Sequence, residues 1–353
     1  MLLQHRFQIH RLLYQGGFGT TFLAVDTHTP SRRLCVVKQF CPALPNQPSF
    51  QIALRKFQEE AAVLERLDHP QIPRLYGYFE HQGQFYLSQQ WIEGQTLGSC
   101  LAQGPMPEIE VIRILSQLLP VFEYLHAHQV IHRDVKPDNI ILRDGDRCPV
   151  LIDFGSVKQH GQAAVHPSQG VACSVVIGTE GFVSPEQVAQ RVSYASDLYS
   201  LGITAICMLT GKMPHEIPLH PQTGQFLWTS LVPGVSLALQ ALLNKAIAFD
   251  PCDRYGSATQ MLAALRAIAS QPPPITVLEP NGVKSGHPGQ AVRIAPAAAR
   301  RLRSPSLPLS VAGLAMVLSG LFSFQIGVTV TAHRSDPAPS EITALEAALQ
   351  PDN

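Results

Sequence analysis

The sequence has no excess of charge of either sign, and its cysteines and histidines show no metal-site pattern. Lys plus Arg and Asp plus Glu number 26 each in 353 residues, so no overall field favours nucleic acid or another polyanion as a partner. The seven cysteines include no C-x-x-C pair and the fourteen histidines no H-E-x-x-H motif, which argues against a zinc centre and a disulfide framework. A reducing compartment is the simpler interpretation, and function must be sought in local motifs.

The two ends of the chain differ in composition. The N-terminus, MLLQHRFQIH, lacks a continuous apolar run, so we expect no secretory signal. From Gln271 the sequence is rich in Pro, Gly and Ala, which predicts an extended linker over residues 271–306. Residues 309–332 contain no charged side chain, and a helix of that length would reach about 36 Å, enough for a hydrocarbon core of ~30 Å. We predict a single membrane-spanning helix there, rather than a buried core helix, and a short extracytoplasmic tail over residues 333–353.

The flanks of the predicted span indicate its orientation. Four arginines precede it: Arg293, Arg300, Arg301 and Arg303. Positively charged flanks stay on the cytoplasmic side, so we expect the preceding residues in the cytoplasm and the protein at the cell membrane. Small residues recur close to one face of the span: Gly313, Gly320, Ser323 and Gly327. Such a stripe supports a helix dimer, although chance explains it equally well.

The rest of the sequence predicts two regions of different secondary structure. The first contains four short β-rich runs: RFQIHRLL, TTFLAVDT, RRLCVVKQF and QFYLSQQWI. One helix interrupts them, with apolar residues at helical spacing: Phe57, Ala61, Leu64 and Leu67. From Ile109 onward the pattern is helical. We expect an α+β fold with a strand-rich N-lobe (about residues 7–92), a helical C-lobe (about residues 93–268) and a cleft between them.

Chemistry-bearing side chains cluster in the segment VIHRDVKPDNIIL. Asp134, Lys136 and Asn139 share one short loop there, and a base, a cation and an oxygen ligand held together suit the transfer of a charged phosphoryl group. Downstream, VLIDFGS places Asp153 at the end of an apolar strand, where a carboxylate is available to bind Mg²⁺. Two metal-capable side chains are therefore expected close to a candidate base.

A lysine and a glutamate upstream form a candidate ion pair. Lys38 ends the run LCVVK, whose alternation directs it to the cleft, and Glu60 lies on the predicted helix. A buried lysine needs a counter-charge. The pair would tether the helix to the sheet and position the ammonium group for phosphate.

Together these residues resemble the signature set of the protein kinase superfamily, in particular the eukaryotic-like Ser/Thr kinases of bacteria. The set comprises the Gly-rich loop LYQGGFGT, CVVK, Glu60, HRDVKPDN, DFG and SPE, in that order over roughly residues 7–268. The resemblance implies the two-lobed kinase fold and transfer of the γ-phosphoryl group of ATP to Ser and Thr hydroxyls of proteins, with autophosphorylation. It also implies Mg²⁺ as the metal, with Mn²⁺ as an alternative.

The resemblance further implies a role for each site residue. Lys38 would hold the α- and β-phosphates and pair with Glu60. Asp134 would accept or orient the substrate hydroxyl, and Lys136 would neutralise charge on the γ-phosphate. The metal ligands would be Asn139 and Asp153. The nucleotide would contact Leu13, Gly16, Gly17, Phe18, Gly19, Thr21, Val36, Lys38, Gln90 and Ile92.

Tyr14 is where the sequence departs from the family pattern. It replaces the first glycine of G-x-G-x-x-G, whereas Gly16 and Gly19 keep the second and third, which let the backbone approach the phosphates. We therefore expect ATP still to bind. In FYLSQQWIEG, which resembles the hinge, Gln89 takes the gatekeeper position, and the backbone of Gln90 and Ile92 would contact adenine.

The segment that ends in GTEGFVSPEQ resembles an activation segment. Glu186 would pair with Arg254, and Asp197 would brace the catalytic loop. Arg133 would couple phosphorylation of the segment to an ordered site. Candidate phosphosites are Ser168, Ser174 and, more weakly, Thr179, which would also line the site for the substrate hydroxyl. Ordinary loop hydroxyls are the alternative for each of them.

Two rival interpretations are weighed against an active protein kinase. A pseudokinase, meaning an ATP-binding membrane scaffold, would be favoured if Lys38, Asp134 or Asp153 were missing, and none is. A small-molecule kinase of the same fold is disfavoured by SPEQ and SDLYSLG, which resemble the peptide-binding apparatus of protein kinases. We expect protein substrates, a membrane contact and no nucleic acid. A homodimer would bring two kinase domains together for trans-autophosphorylation.

Overall fold

The computed structural model describes residues 1–16, 19–41, 48–159 and 179–269. Within these ranges no helix has both the length and the apolar character that crossing a membrane requires. Several predicted features lie outside the described residues, namely the linker (271–306), the membrane span (309–332), the tail (333–353), Gly17, Phe18, Ser168 and Ser174.

Six antiparallel strands form the sheet of the N-lobe. In sheet order they are β1 (Leu2–Leu3), β2 (Phe7–Gly16), β3 (Gly19–Asp26), β4 (Leu34–Phe40), β6 (Gln84–Gln90) and β5 (Leu75–His81). The sequence predicts β2, β3, β4 and β6 but neither β1 nor β5. In β5 the pairing register shifts between Leu75 and Gly77, and such a bulge interrupts the alternation on which strand prediction depends.

One helix, α1 (Pro48–Arg66), packs against this sheet. It follows the predicted spacing, because Ala61 and Leu64 face the core and are 6 % and 1 % exposed. Glu60 is buried beside them and is 3 % exposed. The helix therefore presents a carboxylate to the sheet within an apolar surface.

The two faces of the sheet have different functions. The outer face buries a cluster of apolar side chains: Leu3, Phe7, Ala24, Cys35, Val37 and Tyr86. On the opposite face, Val36 and Lys38 of β4 pair with Gln89 and Leu87 of β6. Leu87 belongs to the same core cluster as Leu64 of α1. Because side chains alternate along a strand, this face is the one directed to the helix and the cleft.

Helices dominate the C-lobe. They are α2 (Leu97–Leu101), α3 (Glu108–Ala127), α4 (Pro185–Val188), α5 (Tyr194–Thr210), α6 (Leu237–Ala246) and α7 (Ala258–Ala269). Helix α5 is buried from Ser196 to Leu209 and ends at Gly211, which adopts the left-handed conformation with φ of 67°. A left-handed terminal residue is the usual place for glycine. A central helix buried on all sides fixes the positions of the groups that bind to its first turn.

Short strands in the C-lobe hold the catalytic loop. The strand β8 (Val130–Ile131) precedes the loop and pairs with β11 (Lys158–Gln159), while β9 (Ile140–Arg143) follows it and pairs with β7 (Gly94–Thr96) and β10 (Pro149–Leu151). Strands of two to four residues are too short for a periodic pattern, so the sequence predicts only helices here. The loop is anchored at both ends, and Asp153 lies two residues after β10.

An enclosed ion pair connects the start of α4 to the far end of the C-lobe. The Arg254 side chain is fully buried, and its guanidinium donates to both carboxylate oxygens of Glu186 at 2.8 and 2.9 Å. It also donates to the carbonyls of Ala248 and Phe249. Burial raises the pKa of Glu186, but hydrogen bonds from Arg254 and Ser196 outweigh this effect and hold the pKa below its usual value. The pair is thus fully hydrogen-bonded as well as buried.

Removing one member of this pair is expected to be costly. Arg254→Met should lower the free energy of unfolding by about 3–5 kcal/mol, because it leaves the Glu186 carboxylate buried without its cation. Urea unfolding followed by circular dichroism measures the change. The matched control is Arg143→Met, which removes the more exposed pair with Asp146 and should cost about 1 kcal/mol or less. Equal losses for the two variants would contradict the assignment.

Candidate active site

Lys38 joins three elements that line the cleft. Its ammonium group lies 2.6 Å from a carboxylate oxygen of Glu60 on α1 and 3.0 Å from one of Asp153. The Lys38 side chain is 18 % exposed, the Glu60 side chain 4 %. The structure therefore brings together the lysine and glutamate that the sequence pairs, and adds the carboxylate of Asp153 to them.

The charges of this triad support one another. Burial lowers the pKa of Lys38, but Asp153 and Glu60 outweigh it and the net pKa is raised. Lys38 in turn lowers the pKa of Asp153 to about 2. For Glu60 the order is reversed, since burial raises its pKa more than Lys38 lowers it. At neutral pH the cleft thus contains an ammonium ion next to an ionised, half-exposed Asp153 side chain.

Asp197, in the first turn of α5, fixes the backbone of the catalytic loop. It is fully buried and accepts hydrogen bonds from the backbone N–H groups of His132 at 3.0 Å and Arg133 at 2.9 Å. The Nε2 atom of His126 lies 3.0 Å from the same carboxylate. Arg133 has a positive φ of 70°, a conformation that is uncommon for a residue with a side chain. The loop geometry is therefore set by the helix below it.

The side chain of His132 packs inside the C-lobe. It is buried, its ring meets the ring of Phe154 edge-on at 5.0 Å, and its Nε2 lies 3.3 Å from the carbonyl of Ile152. Burial lowers the pKa of His132, which favours the neutral imidazole. His132 is thus a packing residue here.

A hydroxyl group occupies the position next to the candidate base. The hydroxyl of Thr179 donates to Oδ1 of Asp134 at 2.9 Å, and its backbone N–H donates to the same oxygen at 3.0 Å. The ammonium group of Lys136 lies 2.5 Å from the Thr179 hydroxyl oxygen and 3.0 Å from Oδ2 of Asp134. A hydroxyl, a carboxylate and a cation therefore meet within hydrogen-bond distance, as transfer of a phosphoryl group to a hydroxyl requires.

Asn139 and Asp153 fit the requirements of a divalent cation. The amide nitrogen of Asn139 donates to the backbone carbonyl and Oδ2 of Asp134, and its side-chain oxygen makes no hydrogen bond to any described residue. The backbone N–H of Ile152 donates to the carbonyl of Asn139 at 2.8 Å, which keeps the two segments adjacent. Oxygen donors of this kind suit Mg²⁺, which takes its further ligands from water and phosphate. Among the described residues no cluster of three His, Cys, Asp or Glu side chains forms a separate metal site.

Tyr14 covers the glycine next to it. Tyr14 pairs with Thr21 of β3, which pairs with Lys38 of β4, so all three lie on the cleft face of the sheet. A methyl group added to Gly16 would lie 2.7 Å from Cε1 and 2.9 Å from the hydroxyl of Tyr14. The ring therefore fills the space that Gly16 leaves open. At the neighbouring glycine the neighbour is backbone, since a Cβ on Gly19 would overlap the carbonyl oxygen of Gln39.

The hinge after β6 offers unpaired backbone groups. Ile92 is 5 % exposed, and neither its N–H nor its C=O has a hydrogen-bond partner within the described ranges. Buried backbone groups are nearly always paired, so this N–H and C=O are suited to bind the edge of a planar ligand. Val36 and Gln90 lie close by on β4 and β6.

A family model agrees with this geometry. The model described as "Protein kinase domain" matches residues 7–265. The chain belongs to the protein kinase family.

Curated relatives of this kinase domain occur in cyanobacteria. The chain is 46% identical over 283 residues to the serine/threonine-protein kinase PknA of Nostoc sp. (strain PCC 7120), covering 79% of this chain and 50% of the relative. It is 46% identical over 276 residues to serine/threonine-protein kinase C of Synechocystis sp. (strain PCC 6803), covering 77% of this chain and 51% of the relative. The chain thus spans about half the length of these curated relatives.

A solved structure has the same fold. The crystal structure of the Mycobacterium tuberculosis PknI kinase domain superimposes with a TM-score of 0.58 at 26% identity and covers 76% of this chain and 97% of that chain. The two-lobed kinase fold that the sequence predicts is confirmed by this likeness and by the family match.

Sequence reasoning missed two side chains near the catalytic loop of the kinase domain. Lys56 lies one helical turn before Glu60 on α1, and burial and the nearby Arg133 lower its pKa. The four-residue spacing on a predicted helix is a signal that could have found it. His126, which contacts Asp197, gives no comparable signal, because their contact joins two distant helices.

Removing the Tyr14 ring should strengthen nucleotide binding by the kinase domain. Tyr14→Ala is expected to lower the Kd for Mg-ATP about threefold, since the phosphates no longer displace a ring whose atom contacts are worth ~0.1–0.2 kcal/mol each. Calorimetric titration of the full chain measures the change. The matched control is Leu12→Ala, an exposed residue of the same strand, for which no change is expected. A weaker affinity in Tyr14→Ala would show instead that the ring supports the nucleotide.

Proposed function

We propose that this protein is a serine/threonine protein kinase that transfers the γ-phosphoryl group of ATP to Ser and Thr hydroxyls of proteins, including its own. The observation that carries this proposal is the Thr179 hydroxyl held 2.9 Å from Asp134 and 2.5 Å from Lys136. A protein hydroxyl thus already fits between the base and the cation. The family match and the names of the relatives at 46% identity support the same activity.

Each charged residue contributes one part of the proposed mechanism. Asp134 orients the substrate hydroxyl and takes its proton as the oxygen bonds to the γ-phosphorus, while the bond from that phosphorus to the bridging oxygen breaks and ADP leaves. Lys136 neutralises negative charge on the γ-phosphate. Lys38, held by Glu60, binds the α- and β-phosphates. The adenine base lies against Leu13, Thr21, Val36, Gln90 and Ile92.

A divalent cation is part of the proposal. Asn139 and Asp153 would hold it, with Mg²⁺ the preferred ion and Mn²⁺ an alternative. When bound, the cation bridges phosphate oxygens and offsets their developing charge. Lys38 keeps Asp153 ionised for this purpose, since it lowers the pKa of that carboxyl to about 2.

Phosphorylation of the activation segment would act through Arg133. Its Nε atom is buried and has no hydrogen-bond partner among the described residues, and Lys56 lies near enough to lower its own pKa. Two neighbouring cations favour an anion between them. Ser168 or Ser174 would supply the phosphate, and Thr179 is the weaker candidate because it already contacts Asp134.

The proposed location is the cytoplasmic face of the cell membrane. What supports it is the run of uncharged residues 309–332 and the arginines before it. The glycine stripe within that run supports a homodimer, which would favour autophosphorylation between two copies.

A single exchange tests the proposed reaction. Asp134→Asn keeps the shape but removes the base, so transfer of the γ-phosphoryl group of labelled ATP to a protein substrate should fall about 10²–10⁴-fold. The rate is measured with the full chain, Mg²⁺ and a Ser/Thr-containing protein. Asp144→Asn, which changes an exposed aspartate outside the site, is the matched control and should keep the wild-type rate.

The outcome separates the proposal from its rival. Transfer by the wild-type protein that Asp134→Asn abolishes supports the kinase. ATP binding without any transfer by the wild-type protein would instead identify a nucleotide-binding scaffold.

A further inference from the structure

A buried amide without a protein partner lies at the end of β6. Gln89 is 5 % exposed, and its side chain forms no hydrogen bond to any residue in the described parts of the chain. Its neighbours across the sheet are Val36 on β4 and Leu75 on β5, both aliphatic. Buried side-chain amides are normally hydrogen-bonded, so the partner of Gln89 is expected outside the protein.

The cleft is the place where that partner can lie. Gln89 pairs directly with Val36, and Leu87 pairs with Lys38 two residues along each strand. Side chains two residues apart in a strand lie on the same face. The amide of Gln89 therefore shares the face of Lys38, but at the hinge end of the cleft rather than at the phosphate end.

The free backbone groups of Ile92 define how a base would sit beside this amide. The Ile92 N–H has no partner among the described residues and can donate to a ring nitrogen of a purine. In adenine, the ring nitrogen N1 has a C–H on one side and the 6-amino group on the other. If the amino group is directed to β6, its two N–H bonds meet the carbonyl of Gln90 and the side-chain oxygen of Gln89. The opposite orientation leaves both the amino group and the Gln89 amide without partners.

We propose that Oε1 of Gln89 accepts a hydrogen bond from the 6-amino group of adenine, which makes Gln89 a specificity-determining residue for the phosphoryl donor. This inference rests on the proposed function, because it assumes that the cleft binds ATP. It assigns the choice of base to a side chain in addition to the backbone of the hinge.

Two nucleotides and one exchange test the hydrogen bond. Purine riboside 5′-triphosphate differs from ATP only in lacking the 6-amino group. In the full chain, Gln89→Met should lower kcat/KM for ATP about fivefold, the value of one ordinary hydrogen bond. The same exchange should leave kcat/KM for purine riboside 5′-triphosphate almost unchanged. An equal loss with both nucleotides, or no loss with ATP, would overturn the proposal.

Two controls keep this result interpretable. Gln84→Met makes the same chemical change at an exposed position of the same strand and should leave both values as in the wild-type protein. Thermal unfolding shows whether Gln89→Met is folded, and Gln89→Leu is the second variant if it is not.

Failure of the proposed reaction can be told apart from failure of this inference. If the wild-type protein transfers phosphate from neither nucleotide, the proposed function is wrong. The same comparison is then made with calorimetric Kd values of both nucleotides. A fivefold loss confined to ATP in Gln89→Met still supports the hydrogen bond, whereas equal changes, or no binding of either nucleotide, overturn it.

Discussion

The ammonium group of Lys38 is the interaction on which the geometry of the cleft depends. It contacts Glu60 at 2.6 Å and Asp153 at 3.0 Å, so one cation connects the N-lobe sheet, helix α1 and the loop after β10. Buried ion pairs are sensitive to the loss of one partner, because the remaining charge stays in a poorly solvated place. The position of the helix and the charge of the metal-facing carboxylate are therefore coupled: moving Glu60 away would leave Asp153 as the sole counter-charge of Lys38.

A second buried charge fixes the other side of the cleft. Asp197 holds two consecutive backbone N–H groups of the catalytic loop, and it projects from a helix that is itself buried. Arg133 and Asp153 both have positive φ values, 70° and 65°. Such conformations cost of order 1–3 kcal/mol each and persist only where surrounding contacts determine them. Asp197 supplies those contacts for Arg133, and Lys38 with the backbone N–H of Gly155 supplies them for Asp153.

The parts of the site that sequence could predict are those written in short contiguous motifs. Asp134, Lys136 and Asn139 lie within six residues, so the spacing alone places them in one loop. By contrast, the missing partner of Gln89 follows from its aliphatic neighbours on β4 and β5, and β5 itself was not predicted because its register shifts at Gly77. Likewise, replacement of a glycine by Tyr14 is visible in the sequence, but the contact of its ring with Gly16 depends on side-chain direction. Local spacing thus determines the chemistry, whereas cross-strand packing determines how selective the cleft can be.

The two ends of the cleft differ in the physical character of their groups. At the phosphate end, Lys38, Lys136 and Asp153 act through charge, which falls off gradually with distance and depends little on angle. At the base end, Ile92 and Gln89 offer neutral hydrogen-bonding groups, which weaken steeply when distance or angle departs from the ideal. A departure from the glycine pattern at Tyr14 is therefore tolerable where charges dominate. An equal displacement at the hinge would remove the directional contacts, so affinity for phosphate and choice of base can vary independently in this protein.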